Sequence, residues 1–244
     1  MMFFFSCQSE SKKTASQEEL KPSELVVDSF RSKRIISYIS QPANIQFFLK
    51  DDKGEYFNNH GNLKKHLESK NQQLKFAMNG GMYLEDASPQ GLYIEKAKLI
   101  KKLNTKKSTF GNFYMQPNGI FYITKDDKAL VVTTSSFKQT VEIKYATQSG
   151  PMLLIKGKMH PKFTEGSKHL HIRNGVGILP NGGLLFAMSK DSINFYDFAS
   201  YFADQGCKNA LYLDGAISKM YLPEKGIEQT KGRFGVIIAE YISK

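Results

Sequence analysis

Apolar residues recur in short alternating runs along most of this chain, and this pattern predicts many strands and few helices. Turn residues such as Asn, Asp, Gly and Pro separate the runs, as they do between strands. The predicted strands cover residues 26–27, 35–39, 45–49, 74–78, 92–95, 98–103, 113–116, 120–124, 130–134, 141–146, 152–155, 175–179, 184–188, 211–213 and 234–241. Hairpins are expected at 92–103 and 113–124.

Helical spacing is present in two places. Between Ser192 and Gly206 apolar side chains recur every three or four positions, with Ser192 or Asn194 as the capping residue. Residues 63–74 show a weaker helical spacing among lysines. A length of 244 residues suits one domain. The pattern therefore predicts a single α+β domain over residues 25–244, with a large mixed β-sheet and a few helices.

The charge balance is basic, with 34 Lys and Arg against 23 Asp and Glu and a formal net charge of +11. Such a balance suits an anionic partner, and the candidates are nucleic acid, phospholipid headgroups and phosphorylated sugars. The lysines are scattered, however, and the sequence has no zinc-finger spacing, no basic helix and no aromatic RNA-binding pattern. We therefore expect no nucleic-acid partner. Charge alone does not distinguish between phospholipid headgroups and phosphorylated sugars.

The first seven residues, MMFFFSC, form an apolar run that ends in Ser6-Cys7. They resemble the end of a bacterial lipoprotein signal, in which the cysteine is lipidated, and the polar residues up to position 24 suit a tether. The run is too short for a complete signal and lacks basic residues, so either the true start lies upstream or the likeness is chance. The first case predicts a lipoprotein anchored at Cys7 on the periplasmic side of the cell envelope, with membrane contact only through the lipid.

Four predicted strands begin or end at a polar residue beside glycine. These motifs are Asn79-Gly80-Gly81, Gln148-Ser149-Gly150-Pro151, Arg173-Asn174-Gly175 and Leu213-Asp214-Gly215. Glycine lets a ligand approach the main chain, and successive N–H groups in such turns bind anions. If the motifs meet at one sheet edge, they supply a carboxylate, a guanidinium, an amide and a hydroxyl, which suits a sugar phosphate. Each motif alone is also an ordinary turn.

The order of these motifs resembles the bacterial branch of the phosphodiester glycosidase family. The likeness is carried by FAMNGGMY at 76–83, PNGIF at 117–121, YATQSGPML at 145–153, RNGVG at 173–177 and NALYLDG at 209–215. The resemblance implies a hydrolase that cleaves a glycosyl phosphodiester, acts on a glycan or sugar-phosphate substrate and needs no cofactor. It implies catalytic roles for Asp214, Arg173 and Asn79. The residues it implies for substrate binding are Gly80, Gly81, Ser149, Gly150, Asn174, Gly215 and Ser218.

One motif departs from the family pattern. The family usually has Leu-Asp-Gly-Gly-Gly-Ser, whereas this chain has Leu213-Asp214-Gly215-Ala216-Ile217-Ser218. A β-branched residue does not easily adopt a positive φ, so either the loop has an ordinary conformation here or the site is inactive. The second case favours an alternative function, a non-catalytic envelope module that binds a glycan or an anionic cell-wall polymer in the same pocket.

The leaving group indicates a mechanism. Ordinary glycosidases use two carboxylates because an alkoxide must be protonated as it leaves, whereas a phosphate monoester leaves readily. One carboxylate is then sufficient, with Asp214 as nucleophile or base and Arg173 holding the phosphate oxygens. Asn79 orients the sugar or a water, and Asp191 is a candidate second carboxylate.

Two other chemistries are less well supported by the sequence. A Ser–His–Asp triad that uses Ser149 or Ser218 lacks a nucleophile-elbow pattern. His169 and His171 alternate along one face of an extended segment, but no third zinc ligand lies at a useful spacing. We therefore expect no metal.

Lipidation of Cys7 is testable by expression from a start codon further upstream. We expect the protein to take up labelled fatty acid, because the complete signal then precedes the acceptor thiol. Cys7→Ala removes that thiol and releases the protein from the membrane fraction, as measured by fractionation and gel analysis. A gene with no in-frame upstream codons for a longer signal contradicts the hypothesis.

Overall fold

The computed structural model describes residues 27–107, 110–214 and 217–244. The elements are β1 Val27–Phe30, β2 Lys33–Ser40, β3 Ile45–Phe48, α1 His60–Glu68, β4 Gln72–Asn79, β5 Tyr93–Glu95, β6 Lys98–Lys101, β7 Gly119–Thr124, β8 Ala129–Thr133, β9 Ile143–Ser149, β10 Met152–Ile155, β11 Lys158–Met159, β12 Asn174–Ile178, β13 Leu184–Ser189, α2 Phe195–Asp204, β14 Ala210–Tyr212, β15 Met220–Leu222, β16 Ile227–Glu228 and β17 Ile237–Ser243. Short 3₁₀ turns lie at Pro42–Asn44, Asn112–Tyr114, Thr134–Ser136 and Pro223–Lys225. No helix in this part of the chain is long and apolar enough to cross a membrane.

The strands form three sheets. Their orders are β1-β2-β13-β12-β14-β10-β11, β16-β15-β4-β17-β3 and β6-β5-β9-β7-β8. The general prediction of an α+β domain is confirmed, although the fold is mostly sheet, but the single large mixed sheet is wrong. All strand pairs between the described elements are antiparallel. Alternation along a strand indicates which face is buried, but it specifies neither the neighbour nor its direction.

An aromatic core joins the three sheets. Phe76 of β4 stacks on Tyr38 of β2 with ring centroids 4.4 Å apart, and it also contacts Phe186 of β13 at 5.1 Å. Phe121 of β7 meets the same Phe186 edge-on at 6.1 Å. Aromatic pairs with these geometries add to the stabilisation from burial. The faces that carry these rings therefore fix how the three sheets lie against each other.

Both helices are observed, but one has different ends from those predicted. The Asn194 side chain accepts a hydrogen bond from the Asp197 N–H and caps α2, so that the second of the two predicted caps is used. The prediction of a helix over residues 63–74 is wrong at its C-terminal end. The α1 helix stops at Glu68, Asn71 adopts a φ of 58°, and Leu74 lies in β4. One Leu at helical spacing, Leu74, fits a strand as well as a helix, so the pattern does not distinguish the two.

The predicted strand at 113–116 is also wrong. Residues Asn112–Tyr114 form a 3₁₀ turn, and the Asn118 side chain holds it by donating to the Phe113 carbonyl at 2.8 Å. The strand β7 pairs instead with β8 and β9. The hairpin of β5 and β6 is confirmed, as is the strand at 184–188, which pairs with β12.

Candidate functional site

Asn79, at the end of β4, is fully buried and forms the centre of the site. Its Nδ2 donates to the carboxylate of Asp214 and to the carbonyl of Ile217. Its Oδ1 accepts from the Lys219 N–H at 2.8 Å and from Nδ2 of Asn174 at 3.0 Å. Two donated and two accepted bonds use the full capacity of a carboxamide, so the orientation of Asn79 is set by its neighbours.

Strand register brings the partners of Asn79 together. β12 and β14 are antiparallel neighbours with Gly175 opposite Tyr212, and the Leu213 N–H donates to the Asn174 carbonyl at 3.2 Å. The start of β12 and the end of β14 therefore lie at one edge of the same sheet. Continuing this register places Arg173 opposite Asp214. β4 belongs to a different sheet, so its bond to Asp214 crosses between sheets.

Asp214 is 2% exposed and lies in the wall of a cavity of about 560 Å³, hereafter the Asp214 cavity. The other lining residues are Met82, Tyr83, Leu84, Glu85, Gln90, Phe110, Gly111, Asn112, Phe113 and Tyr114. Burial, and to a smaller extent the charge of Asp214, raises the pKa of Tyr83 to about 12. The cavity thus presents a buried carboxylate among aromatic walls, which suits a sugar ring beside a reacting group.

Arg173 is 1% exposed, and no carboxylate of the described residues pairs with it. Its Nε donates to the Ile193 carbonyl at 2.8 Å and its Nη2 to the His169 carbonyl at 2.9 Å. The guanidinium carbon lies 3.6 Å from the ring centroid of Phe195, a close cation–π contact. Burial lowers the pKa of the guanidinium, while the neighbouring Tyr212 phenol opposes that shift. Nη1 is buried and makes no hydrogen bond within the described chain.

Arg173 lines a second cavity of about 480 Å³, hereafter the Arg173 cavity. Its remaining lining residues are Asn112, Met115, Lys162, Phe163, Thr164, Ser167, His169, His171, Phe195 and Tyr196. No acidic side chain is among them, and Asn112 lines both this cavity and that of Asp214. The two predicted catalytic residues therefore face adjoining cavities that meet at Asn112.

The predicted substrate-binding glycines have packing roles in the described structure. A Cβ at Gly80 would lie 2.3 Å from Cγ1 of Ile238, and one at Gly150 would lie 2.6 Å from Cβ of Asn118. At Gly81 the obstruction is the Thr147 hydroxyl, at 2.4 Å. Close approach of main chain to neighbouring side chains therefore explains these glycines without a ligand. Their role in substrate binding remains a prediction.

The other predicted positions are dispersed. Ser149 is fully buried, and its hydroxyl has no hydrogen-bond partner among the described residues. Ser218 donates to the Ile172 carbonyl at 3.2 Å and lines a separate cavity of about 700 Å³. Asn174 joins the Asn79 cluster as stated above. Gly215 and the lipidation candidate Cys7 lie outside the described residues.

Asp191 lies away from both cavities and forms an ion pair with Arg34. The Arg34 main-chain N–H and its Nη2 donate to the carboxylate at 2.8 and 2.9 Å, and these hydrogen bonds lower the pKa of Asp191 to about 2. The two histidines considered as zinc ligands, His169 and His171, both line the Arg173 cavity. No group of three or more potential metal ligands is found in the described ranges.

Several residues that shape these cavities have no functional signal in the sequence. Asn112 joins them, Phe195 supports Arg173, and Tyr83 lies beside Asp214. Phe195 belongs to the apolar spacing of the helix predicted between Ser192 and Gly206, and its place immediately after the cap Asn194 does not indicate contact with an arginine. Asn112 follows Gly111 in a turn, where Asn is common for local reasons.

Comparison with known proteins assigns this arrangement to a family. The sequence profile of the phosphodiester glycosidase family matches residues 72–235, a span that includes Asn79, Arg173 and Asp214. The chain belongs to the phosphodiester glycosidase family. The predicted resemblance is thereby confirmed.

A relative of this phosphodiester glycosidase family member is the uncharacterized protein YigE of Escherichia coli (strain K12). It is 41% identical over 168 residues, which are 68% of this chain and 65% of that protein. The match therefore spans less than two thirds of the length of YigE. YigE is itself uncharacterized, so this match assigns no activity.

Two solved structures share the fold of this chain. The catalytic domain of zebrafish N-acetylglucosamine-1-phosphodiester alpha-N-acetylglucosaminidase has a TM-score of 0.59 and 17% identity, with 89% of this chain and 80% of that one covered. A hypothetical protein from Synechocystis has a TM-score of 0.55 and 11% identity, over 86% of this chain and 59% of that one. At these identities the likeness shows a shared fold.

Asn79→Asp tests the Asn79 cluster by placing a second carboxylate against Asp214. In the folded variant, the two like charges raise the pKa of one carboxyl. The variant is therefore most stable at low pH, where that carboxyl is protonated, and it loses stability as the pH rises through the raised pKa. Relative to wild type, the free energy of unfolding of the variant should be lower at both pH values. We expect this deficit to be about 1–3 kcal/mol larger at pH 7 than at pH 4. Urea unfolding at each pH measures this.

The matched control is Asn79→Ala, which removes the same hydrogen bonds without adding a charge. Its loss of stability should show little dependence on pH over the same range. If Asn79→Asp is as stable as wild type at pH 7, the contact between Asn79 and Asp214 is not present in solution.

Proposed function

We propose that the protein hydrolyses a glycosyl phosphodiester in the Asp214 cavity. The observation that carries the proposal is a buried carboxylate, oriented by Asn79, next to a buried arginine that has no acidic partner among the described residues. Burial of an unpaired cation is costly, so its presence beside a cavity favours a site for an anion. Membership of the phosphodiester glycosidase family supports phosphate as that anion.

The proposed reaction breaks the bond between the anomeric carbon and the phosphate oxygen. Water supplies a hydroxyl to the carbon and a proton to the medium or to the phosphate monoester that leaves. Asp214 either attacks the carbon or takes the proton of the water. A second buried acid is unnecessary because the phosphate leaves as an anion, and Glu85, the other acidic residue of the cavity, is exposed to solvent.

Arg173 is proposed to bind the phosphate that leaves. Its Nε is occupied by a main-chain carbonyl, so the contact uses Nη1 and the second hydrogen of Nη2. The bonds to Ile193 and His169 hold the guanidinium in place before substrate arrives. Such preorganised positive charge stabilises the negative charge that develops on the leaving group.

The second candidate is a non-catalytic module that binds a glycan or an anionic cell-wall polymer in the same cavity. The replacement of two family glycines by Ala216 and Ile217, next to Asp214, favours it. Ile217 nevertheless supplies the carbonyl that accepts from Asn79. For either function we propose the cell envelope as the place of action, which the experiment on Cys7 tests.

Asp214→Asn separates the two candidates. It keeps the size of the side chain but removes the charge, so we expect nearly unchanged binding and a fall in kcat of at least ~100-fold. Turnover of a panel of sugar 1-phosphodiesters and binding by calorimetry are measured in parallel, with Asp191→Asn as the control because Asp191 pairs with Arg34 outside the cavities. Full activity of Asp214→Asn would falsify the mechanism. Binding without turnover in the unmodified protein favours the binding module.

Arg173→Lys tests the phosphate contact. Lysine keeps the charge but not the planar set of donors, so we expect weaker substrate binding, slower turnover and weaker inhibition by inorganic phosphate. Arg34→Lys is the matched control, because that arginine is exposed and pairs with Asp191. Circular dichroism checks that the variant folds. Equal inhibition of Arg173→Lys and wild type by phosphate would show that Arg173 is only structural.

A further inference from the structure

A fourth cavity shares part of its lining with the Asp214 cavity and none with the Arg173 cavity. It measures about 430 Å³ and shares Leu84, Gln90 and Tyr114 with the Asp214 cavity. Its charged lining residues are Lys101, Lys102 and Lys106, and no acidic side chain of the described residues lines it. This surface is hereafter the lysine trough. The Asp214 cavity therefore adjoins two cationic surfaces, the Arg173 cavity and the lysine trough, through different lining residues.

The lysine trough is held in place by a buried side chain. Gln148 of β9 accepts from the Asn104 N–H at 2.9 Å and donates to the Asn104 carbonyl at 2.8 Å. The Asn104 side chain in turn bonds the Gln90 carbonyl and the Lys106 N–H, each at 3.0 Å. A segment fixed in this way presents its lysines in a defined arrangement, unlike a freely solvated run of charge.

The charges of the trough are little neutralised. Asp86 is the acid near Lys101, and the two interact through space, but none of the three lysines forms an ion pair within the described ranges. Three lysines that line one cavity repel one another. An anionic group bound across them removes that repulsion, so the trough complements a phosphate.

We infer that the substrate carries phosphate on both sides of the sugar that is cleaved, and is therefore a chain of sugars joined by phosphodiesters. This inference rests on the proposed function. The phosphate that leaves lies in the Arg173 cavity, the sugar lies in the Asp214 cavity, and the phosphate of the preceding repeat lies in the lysine trough. Hydrolysis of such an internal link yields one chain that ends in a free anomeric hydroxyl and one that begins with a phosphate monoester.

The test compares two synthetic substrates made with each of four sugars: glucose, galactose, mannose and N-acetylglucosamine. One is the methyl diester of the sugar 1-phosphate, which has one phosphate, and the other is a trimer joined by two phosphodiesters. The variant Lys101→Gln/Lys102→Gln/Lys106→Gln should lower kcat/KM for the trimer about 10-fold and for the methyl diester less than about 2-fold.

The control variant is Lys125→Gln/Lys138→Gln/Lys156→Gln, which removes the same three charges from exposed positions that do not line the trough. It should leave both substrates unaffected. Equal losses in the two triple variants show an effect of net charge and overturn the inference. So does a wild-type protein that cleaves the methyl diester as efficiently as the trimer.

Failure of the inference is distinguishable from failure of the proposed function. Cleavage of the methyl diester without any effect of the trough lysines leaves the proposed function intact and overturns the inference. If neither substrate is cleaved, the proposed function fails. Calorimetry with the trimer then tests whether the lysine trough binds phosphate. Binding that weakens about 10-fold only in the trough variant supports the phosphate site, and absence of binding overturns it.

Discussion

The Asn79 carboxamide is the contact on which the site depends, because it joins two sheets whose strands do not pair with each other. β4 supplies Asn79, whereas β12 and the end of β14 supply Asn174 and Asp214. All these groups are buried, so each hydrogen bond that is lost leaves a polar atom without water, at a cost of about 1–3 kcal/mol. The position of the carboxylate is therefore tied to the packing of the two sheets.

Arg173 is held by a different kind of interaction. Main-chain carbonyls and the face of Phe195 surround its guanidinium, and no carboxylate of the described residues neutralises it. Carbonyls and aromatic faces are weak substitutes for a counter-ion. This arrangement keeps the guanidinium buried and still able to attract an anion. An ion pair with Asp214 would instead have neutralised both charges. Helix α2, capped by Asn194, fixes the position of Phe195.

Much of the local structure could be predicted because it depends on near neighbours in the sequence. The hairpin of β5 and β6 follows from two apolar runs that only two residues separate, and the cap of α2 follows from the place of Asn194 before the helical spacing. Where local signals were ambiguous, the prediction failed. Leu74 fits helical spacing but belongs to β4, and Phe113 is apolar like a strand residue but lies in a 3₁₀ turn held by Asn118.

The sequence by itself determined the family and indicated Asn79, Arg173 and Asp214 as candidate site residues, because ordered motifs carry that information in the chain. Only the tertiary structure decided that Asn79 bonds Asp214, 135 residues away, that Arg173 turns into an adjoining cavity, and that Gln148 fixes the lysine trough. Side-chain direction and strand partners depend on how separate sheets pack. That packing is set by the summed burial of many distant side chains, which no local pattern encodes.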